Sequence, residues 1–142
     1  IGCAFVGKNY PKLITFSAPY LGYNVLSEEL ALAALRDKKY YQSLAATVET
    51  ERDRCYQFFG PLEGCTAYRT DANFVLVKLP HEDCDSLKKQ LGEAGLVIKF
   101  FAEKEFPDHA RITIGTPEQN SLLLNEMKKY FARKNALVSE QG

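Results

Sequence analysis

From Cys65 to Phe131 the chain reads β-β-α-β-β-α, and that order restricts the possible folds more than any other feature of the sequence. "CTAYRT" and "NFVLVKL" are strand candidates separated by a turn at Asp71. "DCDSLKKQLGEAG" places Cys84, Leu87, Leu91 and Ala94 on one helical face before Gly95 ends it. "LVIKFF" and "ARITIG" are two more strands. Thr116 then caps a last helix, with Pro117 at its first position, Glu118 in its first turn and Gln119 completing a capping box. Leu123, Met127 and Tyr130, flanked by Leu124 and Phe131, form its core stripe. The pattern predicts an α/β chain whose small domain is α+β: a small antiparallel or mixed sheet with helices packed on one face.

The upstream part has a different character. Ile1 to Val6 is an apolar, β-prone run, and Asn9, Tyr10 and Pro11 make a helix start leading into "KLITF". "SAPYLGYNV" crosses with a proline, a glycine and two tyrosines. Ser27 is the expected N-cap of helix "EELALAALRD", with Glu28 and Glu29 favouring the positive helix end. From Lys38 to Phe59 the apolar residues Tyr41, Leu44, Ala45, Val48, Cys55, Phe58 and Phe59 recur at nearly helical spacing, which predicts the longest helix. Gly60, Pro61 and Gly64 break it. "NALVSEQG" reads as a frayed tail. The expected organisation is 1–26 as the end of a larger domain and a crossing segment, 27–59 as linking helices, 60–135 as a small domain and 136–142 as a flexible tail.

Bulk properties exclude several function classes. The chain has 142 residues, 46% of them hydrophobic, enough for one domain with a real core. Its 18 basic and 18 acidic side chains cancel, and no block of like charge appears, which disfavours nucleic acid and anionic membranes as partners. Four cysteines, Cys3, Cys55, Cys65 and Cys84, show no CxxC pair or zinc-finger spacing, so reduced core thiols in a cytosolic protein are expected and no metal. No apolar run reaches the roughly 18 residues of a membrane span. The chain begins "IGCAFVG" without methionine, which suggests a fragment.

No GxSxG, HExxH, Walker loop or GxGxxG is present, and His81 and His109 lie in separate polar connections. A self-contained catalytic centre is therefore not expected. Arg111 is the residue that stands out. Along "ARITIG", Ile112 and Ile114 share one strand face, so Arg111, Thr113 and Gly115 occupy the opposite one, open to a cleft or solvent. A guanidinium offers a planar fork matched to a carboxylate, and the small Gly115 leaves room for a ligand. On pattern alone, an ordinary surface or ion-paired arginine accounts for the same residues.

"ANFVLVKL", "GLVIKFF" and "ARITIGTPEQNSLLLNEMKKY", in that order, resemble the carboxy-terminal domain of the histidinol-phosphate aminotransferase family. "APYLGYNVLSEELALAAL" is similar to the segment that precedes it. The resemblance implies the C-terminal small domain of a fold type I, pyridoxal-phosphate-dependent aminotransferase. In that family a motif S-K-x-x-G-x-x-G-x-R-x-G holds the Schiff-base lysine and a phosphate-clamping arginine; here only the trailing x-G is found, as Ile1 and Gly2. The resemblance thus implies no catalytic and no cofactor-binding residue in this chain, Lys8 included. It also implies that the N-terminal remainder of the enzyme is a partner, with the chain a proteolytic product or one half of a nicked enzyme.

Carried over residue by residue, Arg111 matches the family arginine that pairs with the substrate α-carboxylate. Lys99 falls where the family commonly has an arginine that helps bind the phosphate of histidinol phosphate. A lysine keeps the charge but loses the fork, and a snorkelling strand residue is the plainer reading. Tyr20, Tyr23 and Asn24 lie in the crossing segment, with Tyr20 read as packing and Asn24 as organising the turn. The implied protein is a cytoplasmic homodimer that exchanges an amino group between an amino-alcohol phosphate or amino acid and a 2-oxo acid. Alternatives are an aromatic-amino-acid aminotransferase, a threonine-phosphate decarboxylase of the same fold, and a free-standing small-ligand-binding domain.

Overall fold

In a computed structural model the structure describes residues 7–9, 12 and 24–139. The expected first strand, the "KLITF" helix beyond Lys12 and the two crossing tyrosines lie outside the described residues. Two compact units, Ile1–Ser43 and Leu44–Gly142, meet at a boundary inside a helix.

In the first unit, helix α1 spans Val25–Arg36. Its N-cap is Asn24 rather than Ser27: Asn24 Oδ1 accepts from the Ser27 amide at 3.2 Å, and the Glu28 amide reaches the Asn24 carbonyl at 3.1 Å. The correction has a simple cause. Asn24 caps as well as serine does, and starting there adds a turn containing Val25 and Leu26. No residue of α1 is buried. Helix α2 follows as Lys38–Phe59, with the bounds that the apolar spacing predicts.

The second unit carries the core. Strands β1 (Thr66–Tyr68), β2 (Phe74–Lys78), β3 (Lys99–Phe100) and β4 (His109–Thr113) form one sheet in the order β1-β2-β4-β3. Every pairing is antiparallel. A short 3-10 turn, His81–Asp83, leads into α3 (Cys84–Glu93), and α4 (Pro117–Ser139) closes the described chain. The predicted β-β-α-β-β-α order and one-sided helix packing are what the structure has. Three details differ. α4, at 23 residues, exceeds the 22 of α2 and carries helical backbone into the stretch expected to fray. Only Lys99 and Phe100 of "LVIKFF" pair as a strand. Ala94 is exposed, because α3 ends before the next core position arrives.

Strand alternation explains the core. Val75 and Val77 on β2 and Ala110 and Ile112 on β4 point to one face and are sealed from solvent with Phe59, Leu87, Leu91 and Met127. Each large apolar side chain buried there contributes about 1.5–3 kcal/mol. The register pairs Val75 with Ile112 and Leu76 with Arg111. A slip by one residue would drive the Arg111 guanidinium into that core, so burial of the valines fixes where the arginine stands.

Two turn devices end the elements that flank the site. Gly95, at φ 73°, closes α3 in a Schellman arrangement, with Leu96 N–H bonded to Leu91 O at 2.8 Å and Gly95 N–H to Gly92 O at 3.0 Å. The capping box at α4 forms as predicted: the Thr116 amide donates to Gln119 Oε1 at 3.0 Å and the Gln119 amide to Thr116 Oγ1 at 3.3 Å. Thr116→Ala is expected to cost about 1 kcal/mol, read as a lower urea midpoint at unchanged denaturant slope.

Candidate functional site

The two residues singled out in the sequence come together. Lys99 on β3 is the direct cross-strand partner of Arg111 on β4, so both side chains leave the same, outer face of the sheet. Arg111 is exposed while its neighbours Ala110 and Ile112 are buried. β3 pairs for only two residues, so the preceding stretch parts from β4 and leaves a groove of about 450 Å³. Lys99, Arg111, Thr113, Gly115 and Gln119 line it, with Val97 at its rim side.

The two cations are not equivalent. Arg111 has no ion pair among the described residues, and its guanidinium lies 5.7 Å from the centre of the Phe74 ring. Lys99 is committed twice: its Nζ is 3.6 Å from Glu103 Oε1 and 4.4 Å from the centre of the Phe101 ring. Glu103 in turn is held below the usual carboxylate range by backbone N–H donors, its own first and then that of Ala102, with Lys99 adding to this. Sequence reading missed both Glu103 and Phe74. Glu103 is four residues from Lys99, a spacing that signals a pair on a helix but not across a strand and a turn.

Behind the groove is a buried polar frame that the pattern also hid. Asn120 is only 3% exposed; its Oδ1 accepts from the Gly115 amide at 2.9 Å, and its Nδ2 donates to Gly115 O at 3.1 Å and to Glu51 Oε2 at 2.9 Å. Glu51, also 3% exposed, is gripped by Arg54 Nη1 at 2.7 and 2.9 Å, and Arg54 Nη2 donates to Ser121 Oγ at 2.8 Å. α2, the β4–α4 turn and the first turn of α4 are thus tied together. A Cβ at 115 would lie 2.5 Å from Gln119 Oε1 and 3.2 Å from Gln119 Cβ, so a larger residue there would displace the Gln119 side chain that completes the capping box.

The other polar residues serve the fold. Cys55 is sealed in the core and its thiol is pushed up to about 11, first by burial and then by Glu51. Cys65 is likewise pushed up to about 11 by burial, and Cys84 is raised for the same reason, so these thiols are poor nucleophiles at neutral pH. Cys3 lies outside the described residues. Lys8 is exposed in a turn. His109 Nδ1 lies 2.6 Å from Pro107 O, and its ring stacks on Tyr68 at 5.7 Å. Among the described residues no group of three metal-binding side chains occurs, and no helix is long and apolar enough to cross a membrane.

His81 pairs with Asp108 at 2.6 Å, and that hydrogen bond first, then the Asp108 charge, raises its pKa, with Asp85 and Glu82 adding smaller shares. A raised folded value means that the stabilisation is complete below the unfolded value of about 6.5 and is lost as pH rises through the folded one. The urea midpoint is therefore expected to fall between pH 5.5 and 8.5 by a small step that His81→Gln removes.

No protein-family model matches the chain. It is 33% identical over 108 residues to histidinol-phosphate aminotransferase 1 of Nostoc sp., covering 75% of this chain and 30% of that protein. Among solved structures it is similar to a Burkholderia pseudomallei protein assigned as an aminotransferase, with TM-score 0.61, 28% identity, and 69% of this chain against 30% of that one. A decarboxylase from Sulfurospirillum multivorans shares the fold at TM-score 0.69 and 22% identity, over 84% of this chain and 36% of that one. The chain spans about a third of the length of these proteins. Fold and relatives together define a C-terminal aminotransferase-like domain of the fold type I pyridoxal-phosphate superfamily, which includes aminotransferases and decarboxylases. Within it, the chain is a distant relative of the histidinol-phosphate aminotransferases.

Proposed function

We propose that this chain is the substrate-gripping part of an aminotransferase that converts L-histidinol phosphate and 2-oxoglutarate to imidazole acetol phosphate and glutamate. The observation that carries the reading is the pairing of Arg111, free of any carboxylate among the described residues, with Lys99 across one strand pair in one groove. The chemistry of the two substrates fits such a site. An amino-alcohol phosphate carries its phosphate on the end of the molecule where an amino acid carries its α-carboxylate. One cationic groove can receive the carboxylate in one half-reaction and the phosphate in the other.

Arg111 does the orienting. Two parallel N–H···O bonds to a carboxylate fix the position and the plane of the substrate, so that the Cα–H bond is held in one direction for proton removal. Lys99 adds a point charge for a phosphate. The Asn120–Glu51 frame holds the turn that forms the groove's floor at Gly115, which limits drift of the bound end.

We assign the pyridoxal phosphate to segments outside this chain; when bound there it supplies the electron sink for amino-group exchange. In support, the groove's lysine, Lys99, is about half exposed and ion-paired with Glu103, whereas carbonyl capture needs a desolvated free amine. The same reading makes the rest of the enzyme and a second subunit, in a cytoplasmic homodimer, the cover for the exposed apolar side chains Val25, Leu26, Leu30 and Leu35 of α1.

Activity of the complete enzyme that contains this chain tests the proposal. Glutamate formation from 2-oxoglutarate should be fastest with L-histidinol phosphate as donor. A preference for phenylalanine or tyrosine would point to an aromatic aminotransferase, and carbon dioxide release from O-phosphothreonine to a decarboxylase.

A further inference from the structure

Among the described residues that line the groove, Arg111 has no ion pair and Lys99 is already neutralised by Glu103, and the two substrates of the proposed reaction differ in charge at the end that enters it. A carboxylate carries one negative charge and a phosphate monoester up to two. Arg111 alone matches the first. Matching the second requires Lys99, whose Nζ is held 3.6 Å from Glu103 Oε1 and 4.4 Å from the Phe101 ring centre. Glu103 is itself fixed, since its Oε2 accepts from the Ala102 amide at 2.9 Å. Both members of the pair are about half exposed, 46% for the lysine side chain and 52% for the glutamate. A pair this open to solvent is screened and weak, so a phosphate dianion can take the lysine from it.

Resting on the aminotransferase reading above, we propose that Glu103 is a specificity-determining residue: it holds Lys99 as a second cation that is released to a phosphate and withheld from a carboxylate. With a carboxylate bound at Arg111, the Lys99–Glu103 pair stays closed and the single net positive charge of these three side chains is matched by the ligand. With a phosphate bound, Lys99 turns to the ligand and the Glu103 carboxylate is left to solvent. The glutamate therefore keeps the phosphate from being held so tightly that the carboxylate substrate of the second half-reaction cannot compete.

Glu103→Gln in the complete enzyme tests this, because a glutamine keeps the acceptor for Ala102 and loses only the charge. The readouts are the competitive inhibition constant of inorganic phosphate against L-histidinol phosphate, and KM for 2-oxoglutarate. Phosphate inhibition should tighten about three- to fivefold while KM for 2-oxoglutarate stays within about twofold. In the Lys99→Met, Glu103→Gln double variant the gain should vanish. No change in either constant, equal changes in both, or a gain that survives Lys99→Met would overturn the proposal. Arg111→Ala separates the two levels: phosphate inhibition indifferent to Arg111 removes the aminotransferase reading of the groove, whatever Glu103 does.

Discussion

Arg111→Ala in the complete enzyme is expected to lower kcat/KM by about 10²- to 10³-fold for both 2-oxoglutarate and the amino donor. That is the usual 3–4 kcal/mol for removing one partner of a hydrogen-bonded charge pair that closes on binding. The loss should be shared by both half-reactions, because one guanidinium is asked to serve both anions. Arg111→Lys should recover only part of it. A lysine at that position keeps the charge but presents no planar fork, so orientation suffers more than attraction, and kcat should remain depressed when KM has largely returned. The substitution should leave folding intact, since Arg111 is exposed and ion-paired to nothing among the described residues. Steady-state kinetics beside a urea unfolding curve separates the two effects.

Asn120→Ala carries the largest expected effect on stability, about 2–4 kcal/mol. Its side chain satisfies three polar groups: the Gly115 amide, the Gly115 carbonyl and the buried Glu51 carboxylate. Alanine leaves all three short of a partner, the Glu51 carboxylate in a buried setting and the Gly115 groups in a part-buried one, and the cost of stranding such groups exceeds the net worth of the bonds. Asn120→Asp distinguishes this account from simple loss of packing. It keeps the acceptor for Gly115 but sets a second carboxylate against Glu51, now 2.9 Å from Asn120 Nδ2. At neutral pH it should be at least as destabilising as alanine. One carboxyl of the pair will have a raised pKa in the folded state, so the deficit should shrink as pH falls through that value. Urea midpoints between pH 5 and 8 give the slope.

Much of the fold is local chemistry and was legible for that reason. The bounds of α2 follow from apolar spacing and the Gly60–Pro61 break, the end of α3 from Gly95, and the start of α4 from Thr116 and Gln119. Arg111's outward direction follows from the valine and isoleucine alternation that buries its neighbours. What could not be read depends on non-local pairing. Lys99 meets Arg111 only because β3 and β4 are adjacent in register, which the loop between them decides. The capping choice at α1 was a contest between two good caps, Asn24 and Ser27, and the position that lengthened the helix won. Nothing in the apolar spacing of α2 marks Glu51; its burial depends on Asn120, 69 residues away in sequence. Asn120 itself was visible only as part of a motif, with no sign that it holds the groove's floor.

The most direct measurement is a crystal structure of the complete enzyme with 2-oxoglutarate bound. The account predicts both oxygens of one carboxylate within about 3 Å of the Arg111 guanidinium, with the Lys99–Glu103 pair closed. A substrate gripped by other residues, with Arg111 turned to solvent, would contradict it.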